Sequence, residues 1–572
     1  MKKKLFFAVA AALFLSGCQV ENDEPETGGT VTPGVPTPSG SQEVKMTLQD
    51  SGDVTFYMAG TGSVEINWGD GTPVETRTLA SPKPDNTFTG DEHKFTRRLS
   101  GTSARTVTVK GANLANLNCG SNKFTALDVS NATALKVLDC GENQLAALDI
   151  SKNTLLASLN LGKNKLTAID LKKNTLLQEF DTGSNALKDV DVSANTAITR
   201  LYFTGSSITQ IDVSKNAALQ DLTCGSTKIT NLDVSKNTAL TILDLFNNKL
   251  TNLDLSNNPA LKELNCYGNQ LTTLDMSKNT ALTKLRCDYN QLTKLVVNST
   301  ALEYLNCVGN QLTTLDVSKS TVLTQLSCNS NKLTDLELSK NTMLKELGCQ
   351  HNQLTKLDLS KNTALTYLLC SKNQLTSLVV NSTALEYLNC EDNKLTTLDA
   401  SKSTALKDFR CNRNQLTNLV VNSPVLEKLE CNVNKLTTLD VSKCSGLTSL
   451  DCGFNNLTAL DVSKNTALKE LECTGYYENS YNKLTTLDVS KNTALERLEC
   501  EQHKLTSLDL SKNTALKSVD ISTNNFSSSA LNSLFGTLHS NVIPNKEIRI
   551  GQNPGTNTCD ESIATKKGWK VK

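Results

Sequence analysis

From Leu114 onward, one pattern of apolar and polar positions recurs every 21 residues. A clear copy runs from Leu261 to Ala281 and reads L-x-x-L-x-C-x-x-N-x-L-T-x-L-D-V-S-K-N-T-A when generalised over the turns. Apolar side chains at positions 1, 4 and 6 bracket polar ones. The x-L-x-C stretch therefore predicts a short strand with one face turned inward. The second half, L-T-x-L-D-V-S, buries Leu, Leu and Val on an opposite wall. One copy cannot bury either face alone, whereas stacked copies can, so a fixed period of this size predicts a solenoid.

With the Cys position as marker, the turns fall at Cys119, Cys140, Leu161, Thr182, Phe203, Cys224, Leu245, Cys266, Cys287, Cys307, Cys328, Cys349, Cys370, Cys390, Cys411, Cys431, Cys452, Cys473, Cys500 and Ile521, 20 in all. Three steps are 20 residues long, where Asp-Val-Ser-Lys-Asn-Thr shortens to Val-Val-Asn-Ser-Thr at Val296 and Val379 or Val-Val-Asn-Ser-Pro at Val420; one step, from Cys473 to Cys500, is 27. Parallel strands about 4.8 Å apart would give a wall roughly 95 Å long.

The spacing matches a leucine-rich repeat with Cys in the usual third Leu position. This Cys-ladder pattern resembles that of the internalin J type of bacterial surface proteins over about 400 residues. The resemblance implies an adhesion or ligand-binding surface protein. It also implies that the Asn at position 9 (Asn122, Asn269, Asn352, Asn455) turns inward and bonds the loop backbone, while Ser206, Thr227 and His503 interrupt that column. Both ends depart from the internalin arrangement, since a lipobox is present and a Leu-Pro-x-Thr-Gly sorting signal is not. The expected fold is an α/β-type leucine-rich-repeat solenoid, mostly parallel β, with an N-terminal β-sandwich module and a small α/β C-terminal cap.

Ahead of the array, Met1–Lys4 is basic and Leu5–Leu15 is an apolar run of 11 residues, too short for a membrane-spanning helix and suited to a signal peptide. Leu15-Ser16-Gly17-Cys18 resembles the lipobox of bacterial lipoproteins, which implies cleavage before Cys18 and lipid attachment to it. Acyl chains at about 0.8 kcal/mol per buried CH₂ would hold the protein to a membrane. Gln19 and the acidic Glu21, Asp23, Glu24 and Glu26 resemble the surface-export tract of Bacteroidetes-type lipoproteins. An outer-membrane lipoprotein exposed at the cell surface is the expectation, with a periplasm-facing anchor as the alternative. The Pro-, Gly- and Thr-rich stretch that follows reads as a tether. The expected domains are 1–17 signal peptide, 18–43 lipidated Cys and tether, 44–111 β-sandwich, 112–526 repeats and 527–572 cap. Within 44–111, Trp68-Gly69-Asp70-Gly71, His93-Lys94-Phe95 and Thr106-Val107-Thr108-Val109 resemble polycystic-kidney-disease-type domains, with Asp70 read as a turn cap. The module's expected task is to cover the first repeat.

Charge balances at 58 basic and 58 acidic residues, so no global field favours nucleic acid. Of 18 cysteines, 15 occupy the inward ladder position, where in-register parallel strands do not present the paired Cβ vectors of a disulfide. Buried free thiols are expected there; Cys18 is the lipid site, and Cys444 in a loop and Cys559 near the C-terminus are left open. Four scattered histidines and the absence of H-E-x-x-H, G-x-S-x-G and P-loop patterns argue against an enzyme, and no cofactor or metal is expected.

Because the framework hardly varies, specificity lies at the outward positions 3, 5, 7 and 8. Tyr202, Phe246, Tyr267, Tyr289, Tyr304, Tyr367 and Tyr387 fall there, and Tyr476, Tyr477 and Tyr481 fall in the one insertion; Phe454 joins the wall. Exposed aromatics supply binding area at low entropy cost. Charged residues alternate among them: Asp288, Glu391, Asp392, Glu430, Glu472, Glu499 and Glu501 with Arg286, Arg410, Arg413 and Arg497. The expected function is binding of a protein or glycan on the concave wall, contacting membrane only through the lipid. The alternative is a structural or assembly component of the cell envelope.

Overall fold

The computed structural model describes residues 41–49, 51–83, 91–101, 103–111, 113–475 and 482–572. Cys18 with the leader and residues 18–40 of the expected tether, and Tyr476, Tyr477 and Tyr481, lie outside the described residues; Gln42 and Glu43, expected in the tether, belong to the first strand.

Alternation of buried and exposed side chains drives the N-terminal strands: β1 (Gln42–Leu48), β2 (Gly52–Gly60), β3 (Ser63–Asn67), β4 (Glu75–Thr78), β5 (Lys94–Leu99) and β6 (Arg105–Gly111). The first two array strands are β7 (Leu114–Asn118) and β8 (Ala126–Asp128). One sheet runs β4-β3-β6-β1-β8. The other starts β5-β2-β7 and continues into the array. Between them Phe56 stacks on Phe95 at 5.6 Å and lies 5.4 Å from Trp68. Asp70 Oδ1 accepts the Thr72 N–H at 3.1 Å, the turn-capping role expected of it.

This module does more than lie over the first repeat. Strand β2 pairs antiparallel with β7, and β1 pairs antiparallel with β8, so each of its sheets merges edge to edge with one wall of the array. The first ladder residue, Asn122, donates to Thr55 O (2.6 Å) and accepts from Thr55 N (2.7 Å). Strand β2 thus takes the place of a preceding turn at the array's first edge.

From β7 the sheet is parallel and in register, with Leu117, Leu138, Leu159, Phe180 and Leu201 as successive partners and so on to Val519 and Ile548. Two asparagine columns hold its loops. In the first, Asn352 is representative: Nδ2 donates to Cys328 O and Cys349 O, both 3.0 Å, and Oδ1 accepts Leu333 N at 3.0 Å. In the second, the Asn of Lys-Asn-Thr is fully buried; Asn153 Nδ2 donates to Val129 O (2.9 Å) and Ala132 O (2.8 Å). Cys444 occupies this second column, which is why a residue that reads as a loop cysteine is wholly buried. All 17 described cysteines are free thiols, and all but Cys559 are buried.

On the opposite wall, Asp of Leu-Asp-Val-Ser accepts the backbone N–H two residues on, as Asp149 does from Ser151 at 2.9 Å. These bonds hold the Asp149 carboxyl below its ordinary range. The three shortened turns lack that Asp. There the β-branched Val pair extends the backbone, and Lys294–Val297, Ser377–Val380 and Asn418–Val421 each pair in parallel with the preceding turn.

At the C-terminus, α1 (Ser528–Thr537) is capped by the Ser527 hydroxyl and buries Leu531, Leu534 and Phe535. Lys567 Nζ donates to Phe535 O (3.1 Å) and Leu538 O (2.8 Å), satisfying carbonyls at the end of that helix. Glu547–Arg549 adds a further parallel strand, and Asn553 enters the first asparagine column with bonds to Ile521 O and Ile550 O, both 2.9 Å. Trp569 is buried and donates to His539 O at 2.9 Å.

Candidate functional site: the strand wall

Side chains at positions 3 and 5 of each strand point away from the Leu and Cys core and line up as columns with one residue per turn. Just beyond, position 8 adopts a left-handed conformation in turn after turn: Glu142 (φ 55°), Tyr289 (53°), His351 (55°), Val433 (55°) and Phe454 (52°). Non-glycine residues enter that region at about 1–2 kcal/mol each. The ladder bonds on either side hold them there, and the conformation aims position 8 off the wall. Tyr289 is 48% exposed as a result.

The expected aromatic residues from Tyr202 to Tyr387 separate into two clusters and two rings that stand apart from them. In the first cluster Tyr267 and Tyr289 meet edge to face at 5.6 Å, and Arg286 lies over the Tyr267 ring at 5.5 Å. Asp288 approaches Arg286 at 3.4 Å, and Tyr304 lies on the next strand in register with Lys284. In the second, Tyr367 stacks on Tyr387 at 4.6 Å, Arg410 lies over Tyr387 at 5.7 Å, and Asp408 grips Arg410 through two bonds of 3.0 and 2.9 Å. Both clusters combine two tyrosines with an arginine over a ring and an aspartate beside it. Three strand spacings, about 14 Å, separate Tyr304 from Tyr367. Tyr202 stands apart, donating to Asp221 Oδ2 at 2.8 Å. Phe246 folds back over Gly225, where an added Cβ would come within 2.0 Å of its ring. Between Phe246 and Tyr387 the aromatic side chains of the wall thus form two separate clusters.

Charge is also segregated rather than interspersed. Glu430, Asp451, Glu472, Glu499 and Asp520 are direct partners in one position-5 column, ended by Arg410 on one side and Arg549 on the other. Burial and the flanking carboxylates push Asp451 up to about 7, and burial also raises Glu472 and Glu501. Sequence reading missed Asp451 and Asp520. The register was the signal for them: each sits immediately before its ladder residue, Cys452 or Ile521.

His503, in the first asparagine column, is buried with Nδ1 2.9 Å from Asn482 O, and its Nε2 has no partner among the described residues. Burial lowers its pKa. Among the described residues, no group of three or more His, Cys, Asp or Glu is arranged to hold a metal ion.

No protein-family model matches the chain, so the likeness of 44–111 to polycystic-kidney-disease-type domains gains no support there, and no curated protein matches either. Solved structures do match. YopM from Yersinia enterocolitica is 24% identical, covering 68% of this chain and 79% of that one, with a TM-score of 0.52. The ectodomain of the Arabidopsis receptor kinase HAESA, solved with an N-terminally extended IDA peptide hormone, is 19% identical over 69% and 75%, with a TM-score of 0.55. These likenesses establish the leucine-rich-repeat solenoid as the class of fold. The functional domain of InlJ from Listeria monocytogenes, which includes a cysteine ladder, is 31% identical, covering 70% of this chain and 74% of that one, with a TM-score of 0.39. On that sequence identity and coverage, the chain belongs to the bacterial leucine-rich-repeat proteins of the cysteine-ladder type.

Proposed function

We propose that this protein is a non-enzymatic binding protein, lipid-anchored through Cys18 and displayed at the bacterial cell surface, that takes a protein ligand on its strand wall. The observation that carries the reading is the pair of Tyr-Tyr-Arg-Asp clusters on an otherwise repetitive surface. Stacked or edge-on tyrosines with a guanidinium over one face form rigid, amphipathic anchors of the type that dominates protein interfaces. The solved HAESA complex supports the class of ligand, since its leucine-rich-repeat ectodomain holds a peptide. The Leu-Ser-Gly-Cys motif behind a basic and apolar leader supports the anchor.

Two experiments test the two halves. Protease shaving of intact cells should remove the array; survival until the outer membrane is permeabilised would overturn surface display. Replacing Tyr267, Tyr289 and Tyr304 by Ser should weaken ligand capture at least tenfold with the melting temperature unchanged. Retention of full affinity would remove the first cluster from the site.

A further inference from the structure

The position-5 column changes its role along the array. In the N-terminal turns its Asp and Asn residues close loops: Asp139, Asn160 and Asp181 accept the N–H of Gly141, Gly162 and Gly183 at 3.0, 2.9 and 2.8 Å. Among the five adjacent carboxylates of the C-terminal turns, only Asp451 and Asp520 make that bond, to Gly453 at 3.2 Å and Ser522 at 2.9 Å. Glutamates at 430, 472 and 499 make no such loop bond among the described residues. Glu430 pairs with Lys428 on its own strand and with Arg410 on the strand before at 3.9 Å, Glu499 pairs with Arg497 on its own strand, and Glu472 has no ion pair among the described residues. Like charges directly opposite on neighbouring strands destabilise a sheet. The fold thus carries three glutamates that each face a carboxylate on a neighbouring strand and close no loop.

Adding Glu470 and Glu501, this part of the wall presents seven carboxylates against Lys428 and Arg497, with Arg410 and Arg549 pairing Glu430 at 3.9 Å and Asp520 at 3.7 Å at its two ends. It begins one strand beyond the turn that holds Arg410, whose guanidinium completes the second tyrosine cluster.

Resting on the strand-wall reading above, we propose that the face from Tyr367 to Asp520 docks one extended, Lys/Arg-rich polypeptide segment, with an aromatic side chain on the Tyr367–Tyr387 stack and basic side chains over the carboxylate column. Charge complementarity selects this occupant. A neutral glycan could use the tyrosines, but it would leave the column desolvated and unpaired, which is costly. The dimensions agree. Six strand spacings from Tyr387 to Ser518 span about 29 Å, the length of about nine extended residues. Alternate side chains about 6.7 Å apart place about three basic groups over the column's about 19 Å.

The probe is a fluorescein-labelled peptide of about twelve residues, an N-terminal Tyr followed by alternating Gly and Lys, with binding read by anisotropy at low and physiological salt. Wild-type protein should bind it in a salt-dependent manner. Glu430→Gln, Glu472→Gln and Glu499→Gln combined should weaken binding at least tenfold and flatten the salt dependence, with no loss of thermal stability because repulsion is relieved. Asp212→Asn, Asp233→Asn and Asp254→Asn on the opposite wall remove the same charge and should leave affinity unchanged. Tyr387→Ser should weaken binding several-fold, and this effect should vanish for a peptide without the Tyr. Equal loss from both triple variants would mean non-specific attraction and overturn the proposal, as would full affinity in the Gln variant or displacement of the peptide by chitohexaose. If capture of the natural ligand fails in the Tyr267/Tyr289/Tyr304 variant but is intact in the Gln variant, the strand-wall reading stands and the basic-segment inference falls.

Discussion

Asp451→Asn isolates the cost of the carboxylate column. Asp451 lies between Glu430 and Glu472 on adjacent strands, and its pKa is raised from the ordinary 3.8 to about 7 by burial and then by Glu472. The native protein therefore holds a proton that the unfolded chain releases between those two values. Its stability falls as pH rises from about 4 and is lowest, in this respect, above about 7. Three powers of ten in proton affinity, at about 1.4 kcal/mol each, set an upper bound of about 4 kcal/mol. Partial solvent access and salt reduce the expected effect to about 1–3 kcal/mol. Asparagine cannot ionise, and its Oδ1 can still accept the Gly453 N–H. The variant should thus be more stable than wild type by about 1–3 kcal/mol at pH 8 and indistinguishable at pH 4. Because repeat arrays open turn by turn, hydrogen exchange of the 449–473 amides should accompany the melting curve. The same change at both pH values, or a loss of stability at pH 8, would refute the electrostatic argument.

Other expectations concern the framework. Asn352→Ala leaves the buried Leu333 N without its acceptor, while Cys328 O and Cys349 O keep Asn331 and Asn373 as donors; at about 1–3 kcal/mol for a buried orphan, it should cost about 1–3 kcal/mol in denaturant unfolding. Val433→Gly relieves a β-branched residue at φ 55°. It should stabilise by about 0.5–1 kcal/mol after glycine's larger unfolded entropy is deducted, measured as a rise in melting temperature. Of the 17 described thiols, only partly exposed Cys559 should react promptly with a thiol reagent in the native protein, since burial pushes the ladder thiols up. All 17 should react after non-reducing denaturation, and a markedly lower count would mean disulfides.

The solenoid was legible because its period is written in the chain: Leu264, Cys266 and Asn269 recur in nearly every turn, and inward strand and loop bonds follow from them. Other features are not carried by residue type. Asn153 and its equivalents read as exposed loop residues next to Lys, and only stacking shows that their amides bond the turn before. The left-handed position 8 escapes a sequence reader because Glu142, His351 and Val433 do not favour it; the ladders on either side impose it. Outward residues were identifiable by register, but their grouping depends on side-chain direction. Phe246 and Tyr267 share position 7 in successive turns, yet one covers a glycine and the other meets Tyr289. The fusion of both module sheets to the array was hidden as well, since strand alternation in 44–111 does not say which edges pair.

The most direct test of the strand-wall account compares two variants with equal numbers of substitutions. One carries Tyr267, Tyr289, Tyr304, Tyr367 and Tyr387 replaced by Ser; the other carries five Thr-to-Ser changes at Thr272, Thr293, Thr355, Thr376 and Thr396 beyond the strands. Both are assayed against the same panel of immobilised extracellular proteins. The account predicts that the tyrosine variant loses at least tenfold in affinity for the bound partner while the threonine variant keeps it. Undiminished binding by the tyrosine variant would contradict it.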